Sequence, residues 1–523
     1  MRGIKLRVRC DRQPSSMIFL IKTKFKVNRY ALISIASAIF INGCSFGPKP
    51  WKTEWQESPI RYYTSGVQTL DQTATDNSQP STSSTQLTPA TRQPANSDSE
   101  QKNENRYPID LPTVLRLAGA NHLDIALFRE KVHEAYANAL VAVEGFIPTL
   151  NPGISFARRE GMQQRSTGEF IDADAQQTFI GGSIILDWEL GEAIYSTLAE
   201  MQRYHASNAS LEAKVHDAVL EAALAYIELT KAQARVVISE QAVEISEKLV
   251  RQTESAVLQG MGFKGDVLRA KAQLSSNKLA LTEAKESFKI ASVRLATILR
   301  LDAGIELYPV EKAVVPIKLV SDTEKLPELV MKAMMQRPEL KGAEAVLRAV
   351  KDEHSETVWG PLIPSFRAET GAGGLGPVLS DLSSREDYRF SLGWRVGPNG
   401  IFDIGRQHLT RSKYETQRIR LAKLSQEIEE EVRVAYTQVQ AKAEQMRIAK
   451  EGVIDATESL KLNQERQKMG IGIPLEVLQA EEALTRIRLD HLSATTEYNK
   501  SQYILFTKIG MNPMNGIYKS TGN

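Results

Sequence analysis

Two stretches of the chain, each about 200 residues long, carry the same landmarks in the same order. Leu111-Pro112 opens a helical pattern that reaches Phe146-Ile147-Pro148, and Leu326-Pro327 opens another that reaches Leu362-Ile363-Pro364. The offset is 215 residues at one end and 216 at the other. Leu190-Gly191 then matches Ile404-Gly405. Gly260, followed by Val267-Leu268 and Ala270, matches Gly470, followed by Val477-Leu478 and Ala480. One such match arises by chance, but four in register mean two copies of one unit. The period is too long for a solenoid.

Each copy reads as helix, strand, loop, strand, long helix, tip, helix. The clearest strand is Tyr388–Val396, with Tyr388, Phe390, Leu392, Trp394 and Val396 on one face and Arg389, Ser391, Gly393 and Arg395 on the other. Its partner in the first copy sets Ile180, Ile184, Leu186 and Trp188 against Ser183 and Asp187. Upstream, Ile154 and Phe156 alternate with Ser155 and Ala157, and Phe366 and Ala368 with Arg367 and Glu369. That predicts four strands per chain, each with one apolar and one wet face. A soluble β-sandwich and a membrane barrel both satisfy this alternation.

The helices separate the two. From Glu192 to Gln259 there is no proline, and Ala222, Leu229, Val236, Val243, Val250 and Val257 recur every seven residues, a coiled-coil seam. At 1.5 Å per residue the segment is roughly 100 Å long. The second copy has a counterpart at Arg406–Lys468, with Leu424, Ile428, Ala435, Val439, Met446, Val453 and Leu460 on its apolar side. Polar strand faces joined to helices this long suit a barrel continued by a helical tube. No apolar run reaches the ~20 residues of a helical span. The longest candidate, Ala31–Ile41, falls short.

That run belongs to the N-terminus, where Lys22, Lys24, Lys26 and Arg29 precede it and Ile41-Asn42-Gly43-Cys44 follows. A basic region, a short apolar region and small residues before a cysteine read as a secretory signal. The tetrad resembles a bacterial lipobox, which implies a lipid on Cys44 after cleavage, and Ser45 in place of Asp favours sorting to the outer membrane. Residues 1–16 read as an extra leader ahead of Met17. The only other cysteine, Cys10, would leave with the leader, so an intrachain disulfide is not expected. Residues 64–105 are rich in Ser, Thr, Gln, Asn and Pro and predict a disordered tether. The expected organisation is therefore leader and signal 1–43, anchor and tether 44–108, first repeat 109–310, linker 311–324, second repeat 325–513 and tail 514–523.

Over Leu111–Pro513 the chain resembles the TolC-like outer-membrane efflux family. The residues that carry the likeness are the paired Leu-Pro helix starts, Ile147-Pro148 and Ile363-Pro364, the Trp188 and Phe402 positions before each long helix, and the two Gly-x6-Val-Leu-x-Ala tips. The resemblance implies a homotrimer whose strands, four per chain, close one twelve-stranded β-barrel in outer-membrane lipid, continued by a helical coiled-coil tunnel in the periplasm. One chain alone would leave open strand edges. Trp188, Tyr388, Phe390, Leu392 and Trp394 would then face lipid. It implies a passive exit route served by a periplasmic adaptor and an inner-membrane pump, in efflux rather than type I protein secretion. The adaptor would dock at the tips around Gly260 and Gly470, where the tunnel narrows. Asp266 precedes Val267 there and Glu476 precedes Val477, but Arg269 and Gln479 stand where the family often has further acids. The two carboxylates fit either a constriction ring or favourable charges in a first helical turn.

Enzymatic patterns are weak. Gly371, Gly373 and Gly376 fit G-x-G-x-x-G, yet Pro377 and a Ser/Asp-rich loop follow where a helix should open. The histidines, among them His122, His133, His205 and His216, form no metal-ligand spacing, and no G-x-S-x-G elbow occurs. No catalysis, cofactor or metal is expected. A net charge of +2 gives no bulk attraction to nucleic acid. A coiled-coil lipoprotein scaffold that never forms a pore is the alternative, and it has no use for four amphipathic strands.

Overall fold

The computed structural model describes residues 106–515, apart from positions 261, 303, 312, 322 and 470. The first repeat runs β1 (Arg106–Ile109), α1 (Leu111–Asn121), α2 (Leu123–Glu144), β2 (Thr149–Gln164), β3 (Phe170–Trp188), α3 (Leu190–Leu258) and α4 (Lys264–Leu299). The second runs β4 (Glu306–Pro309), α5 (Leu326–Gln336), α6 (Pro338–Trp359), β5 (Ser365–Gly376), β6 (Ser383–Gly393), α7 (Ile404–Lys468) and α8 (Pro474–Lys508). The duplication read from four landmarks is thus a duplication of structure.

Each Leu-Pro landmark starts a helix, because proline in the first turn has a preset φ and lacks only an N–H that has no intrahelical partner there. Asp110 caps α1 by accepting from the Thr113 amide at 3.2 Å. The single helical pattern expected from Leu111 to Phe146 is in fact two helices. His122 is extended (ψ 131°), and its Nδ1 accepts from the Asp124 amide at 3.3 Å. In the second repeat the break falls at Arg337, pushed out of helical geometry by Pro338.

Helices α3 and α7 hold 69 and 65 residues and return through α4 and α8. Both turns use a glycine at the same place. A Cβ on Gly262 would lie 2.9 Å from the Val257 nitrogen, and one on Gly472 2.9 Å from the Gln467 nitrogen. Of the heptad column read in the sequence, Ala222, Leu229 and Val250 are buried, but the buried seam of α3 is wider than that column. Val236, Val243 and Val257 are half-buried, while Ala232, Ser239, Ala242, Ser246, Leu249 and Thr253 go inside. The small residues among them let helices from both hairpins approach α3 closely, and Val236, Val243 and Val257 flank the contact.

The packing order is linear. In the upper part α2 packs on α3, α3 on α6 and α6 on α7; towards the tips α4 packs on α3, α3 on α8 and α8 on α7. The main core lies midway and draws on both repeats, with Leu115, Val219, Leu329, Ile428, Val432, Tyr503 and Phe506 all buried. Each large apolar side chain buried there contributes about 1.5–3 kcal/mol. The linker is pinned to this core: Asn499 accepts from the Ile317 amide at 2.7 Å, and Gln502 from the amides of Leu319 and Val320 at 3.2 and 3.1 Å.

The strands form a four-stranded antiparallel sheet in the order β2-β3-β5-β6, and a separate parallel pair joins β1 to β4. The repeats meet at β3 and β5, where Trp188 stands opposite Phe366. Strand β6 begins at Ser383, upstream of the expected Tyr388, and ends at Gly393, so Trp394 and Val396 lie beyond it. Its length is set by β5, whose first residue, Ser365, pairs with Gly393.

Candidate functional site

The sheet has two chemically different faces, and the register defines them. Trp188, Phe366 and Leu392 form one row; Leu186, Ala368 and Phe390 the next; Leu150, Ile184, Thr370 and Tyr388 the third. Tyr388, Phe390 and Leu392 are each at least 64% exposed, so a single chain leaves this apolar face uncovered. The opposite face carries ions. Arg367 pairs with Asp187, Arg389 with Glu369 at 3.0 Å, and Arg385 with Asp387 at 2.8 Å. About ten residues of β3, from Trp188 to Thr178, cover the apolar band; at roughly 3.3 Å per residue and a tilt of about 40° it is roughly 25 Å tall. Past Thr178 the same face turns polar, where Arg158 grips Asp174 through two bonds of 3.0 Å.

Where strands give way to helices, two tryptophans mark corresponding positions. Trp188 Nε1 donates to the Phe146 carbonyl at 3.0 Å, and Trp394 Nε1 to the Leu362 carbonyl at 3.1 Å. Those carbonyls immediately precede the two Ile-Pro landmarks. The partner of Trp188 in the second repeat is therefore Trp394 by contact, not Phe402 as its spacing from the long helix suggests.

At the far end, the Val and Ala of each tip motif are structural. Val267, Ala270, Val477 and Ala480 pack with Leu249, Val250, Leu460 and Leu484 into one cluster joining both hairpins. The polar tip residues stay outside it. Asp266, in the first turn of α4, bonds to Arg269 at 3.1 Å; Glu476, in the first turn of α8, pairs with Arg466 at 3.4 Å. Gln479 is exposed, and Gly260 makes the left-handed turn that ends α3 (φ +76°). Each carboxylate thus has its own arginine, and Arg466, on the preceding helix, is one that sequence spacing did not reveal. Gly470 and Cys44, together with the signal, anchor and tether, lie outside the described residues.

The family model for outer membrane efflux proteins matches residues 114–299 and 329–510. The chain belongs to the outer membrane efflux protein family. The two matched segments coincide with the two structural repeats. Nodulation protein T of Rhizobium leguminosarum bv. trifolii is 22% identical over 405 residues, which span 75% of this chain and 83% of that protein. Among solved structures, a membrane protein from Pseudomonas aeruginosa superposes with a TM-score of 0.67 at 17% identity, over 76% of this chain and 93% of its own. CusC, whose structures concern folding and transmembrane channel formation, gives 0.67 at 18% identity over 78% and 94%. These likenesses carry the fold. As a family member the chain is an outer-membrane channel subunit of efflux systems, and its relatives are channel proteins that reach from the outer membrane into the periplasm.

In this efflux protein the joint between sheet and helices is a charged cluster that the sequence did not single out. Arg395 pairs with Glu189, and Arg406 with Glu356 at 3.1 Å, around a cavity of about 80 Å³. Glu192 titrates above the ordinary carboxylate range because it shares a hydrogen bond with Glu189 and is partly buried. Asp403 caps α7, accepting from the amides of Arg406 and Asn399 at 3.0 Å each. Gly191 is required here, since a Cβ on it would lie 2.3 Å from the Gly360 carbonyl oxygen. The glycines of the G-x-G-x-x-G match lie within β5, where Gly373 faces Gly181 and opens no helix. Among the described residues no cluster of His, Cys, Asp or Glu could hold a metal ion, and no helix is long and apolar enough to cross a membrane.

Proposed function

We propose that three copies close into one barrel and tunnel, a passive exit duct that takes its cargo and its energy from an inner-membrane pump through a periplasmic adaptor. The observation that carries this is the pair of open edges. Among the described residues, strands β2 and β6 are unpaired on their outer sides, and an unpaired edge in lipid costs several kcal/mol per unsatisfied group. Closure pairs β6 of one copy with β2 of the next and sets the apolar face against lipid. Trp188, Tyr388, Phe390, Leu392 and Trp394 then meet lipid or its interface, and the ion-paired face lines the lumen.

The helices follow the same order, which supports the reading independently. Closing α2-α3-α6-α7 and α4-α3-α8-α7 into rings brings α7 of one copy against α2 of the next above and α4 below. The surfaces that would meet are apolar and exposed: Ile419, Ile448 and Ile454 on α7, Leu127 and Val141 on α2, Leu279 and Ile290 on α4. The tips around Gly260, Asp266, Gly470, Glu476 and Gln479 form the periplasmic mouth and adaptor contact, and a lipid on Cys44 fastens the chain to the outer membrane.

The reading is tested by pairing Ile454→Cys with Leu279→Cys, which stand at about the same height above the tips, in a chain whose only other cysteines are Cys10 and Cys44. Oxidation is expected to give covalent dimers and trimers. Exclusively monomeric protein after oxidation, in a folded preparation, would contradict ring closure.

A further inference from the structure

Buried in the apolar cluster that joins the two hairpins is one carboxylic acid, Glu481, 2% exposed. It ends a chain of hydrogen bonds that crosses three helices. Gln273 Nε2 donates to Asn277 Oδ1 at 3.2 Å, Asn277 Nδ2 to Ser246 Oγ at 2.7 Å, and Ser246 Oγ to Glu481 Oε1 at 2.7 Å. The chain therefore runs from α4 through α3 to α8, from the first hairpin to the second. Ser246 lies about 13 residues above the end of α3, hence roughly 20 Å from the tip. The other carboxylate oxygen, Oε2, is buried without a partner, beside a cavity of about 270 Å³ between α4 and α8.

The two repeats differ at this point. The tip offset of 210 residues makes Lys271 the counterpart of Glu481, and Lys271 is a surface cation paired with Glu254 at 2.8 Å. A buried acid on one hairpin only is not a demand of the fold, since the other repeat builds the same turn without it.

We propose that Glu481 is a proton-operated clamp, which holds the two hairpins together above the tip while it carries a proton and releases them when it is ionised. This rests on the duct reading, in which parting of the hairpins widens the periplasmic mouth. Burial raises the carboxyl above the ordinary range, and the Ser246 bond only partly opposes it. The facing groups are neutral on α3 (Ser246), on α4 (Gln273, Asn277) and on α7 (Ala456, Leu460). On α8 itself Glu482, Arg486 and Asp490 line the cavity, but no charged side chain governs the titration of Glu481. The nearby Lys278–Glu247 pair, at 3.2 Å, satisfies its own charges.

The sign follows. The packed state binds the proton more tightly than the parted state, so packing is fully favoured below the ordinary carboxylate value. That advantage is lost as pH rises through the raised value. Acid closes the mouth and alkali loosens it.

The test uses the full-length protein in planar bilayers between about pH 5 and about pH 8, with spin labels on Leu258→Cys and Met469→Cys, both exposed at the tips. Wild type is expected to gain conductance several-fold as pH rises, with a matching increase in label separation. E481Q, which keeps the shape and cannot ionise, should stay low and flat. S246A removes the bond that favours ionisation and should move the transition to higher pH. An identical pH response in wild type and E481Q, or a label distance that ignores pH in both, overturns the clamp. If no variant conducts at any pH the duct reading fails, and the label distances still decide the clamp.

Discussion

Trp188 donates its indole N–H to the carbonyl of Phe146 at 3.0 Å, tying the end of β3 to the turn that leads from α2 into β2, at the edge of the apolar band. Trp394 and Leu362 repeat the bond in the second half of the chain. Each indole satisfies its N–H with backbone, and the Trp188 ring lies 6.0 Å from that of Phe366, which suits a membrane boundary. Substituting W188F or W394F should cost about 0.5–1.5 kcal/mol. Denaturant unfolding of the refolded protein measures it, and the two costs should be nearly equal.

The faces of the sheet can be told apart by charge. I184R places a guanidinium on the apolar face near the middle of the band and should weaken membrane assembly by about 2–4 kcal/mol, while S183R on the wet face at the same depth should cost about 0–1. The fraction of protein folded in liposomes checks both. Equal penalties would mean that the register assigns the faces wrongly.

The joint between sheet and helices admits no side chain at Gly191. A Cβ there would sit 2.3 Å from the Gly360 carbonyl oxygen, so G191A must shift backbone. The expected loss is about 2–4 kcal/mol, seen as a lowered midpoint of thermal unfolding. G405A is the control, because the nearest atom to a Cβ on Gly405 is the Asp403 carboxylate at 3.8 Å.

Acid sensitivity should trace to Glu431. Burial pushes its carboxyl up, but bonds from Lys508 at 2.9 Å and from the buried Arg337 at 2.6 Å outweigh that and hold it below the ordinary range. A lowered value stabilises the fold above the ordinary carboxylate value, and this is lost as pH falls through the lowered one. R337A should therefore destabilise the protein at neutral pH by about 1–3 kcal/mol. The gap to wild type should shrink as the pH falls through that range, measured by urea midpoints.

Much of this architecture was legible in the sequence because it depends on periodicity. Alternation in β3 and β6 gave the faces, the absence of proline from Glu192 to Gln259 gave the long helix, and repeated landmarks gave the duplication. What escaped depends on contacts between distant residues. The break at His122 has no proline to announce it, and Gly119 lies inside the last turn of α1 rather than at its end. Trp394 falls at a different distance from its helix than Trp188, because the segment from Trp394 to Asp403 makes an extra turn before α7. The heptad column of α3 was visible, and Ala222, Leu229 and Val250 are buried as it predicts, but that Ser246 joins them depends on Glu481 of α8, which no local pattern announces. Charge partners such as Arg466 for Glu476 and Arg395 for Glu189 cross from one element to another, so no local pattern encodes them.

The central claim, that copies of this chain close into an exit duct, is tested most directly by single-channel recording of the detergent-purified protein in a planar bilayer, with its mass measured in the same preparation. The account predicts discrete conductance steps from a particle three times the mass of the chain. A folded, stable monomer that never conducts would contradict it.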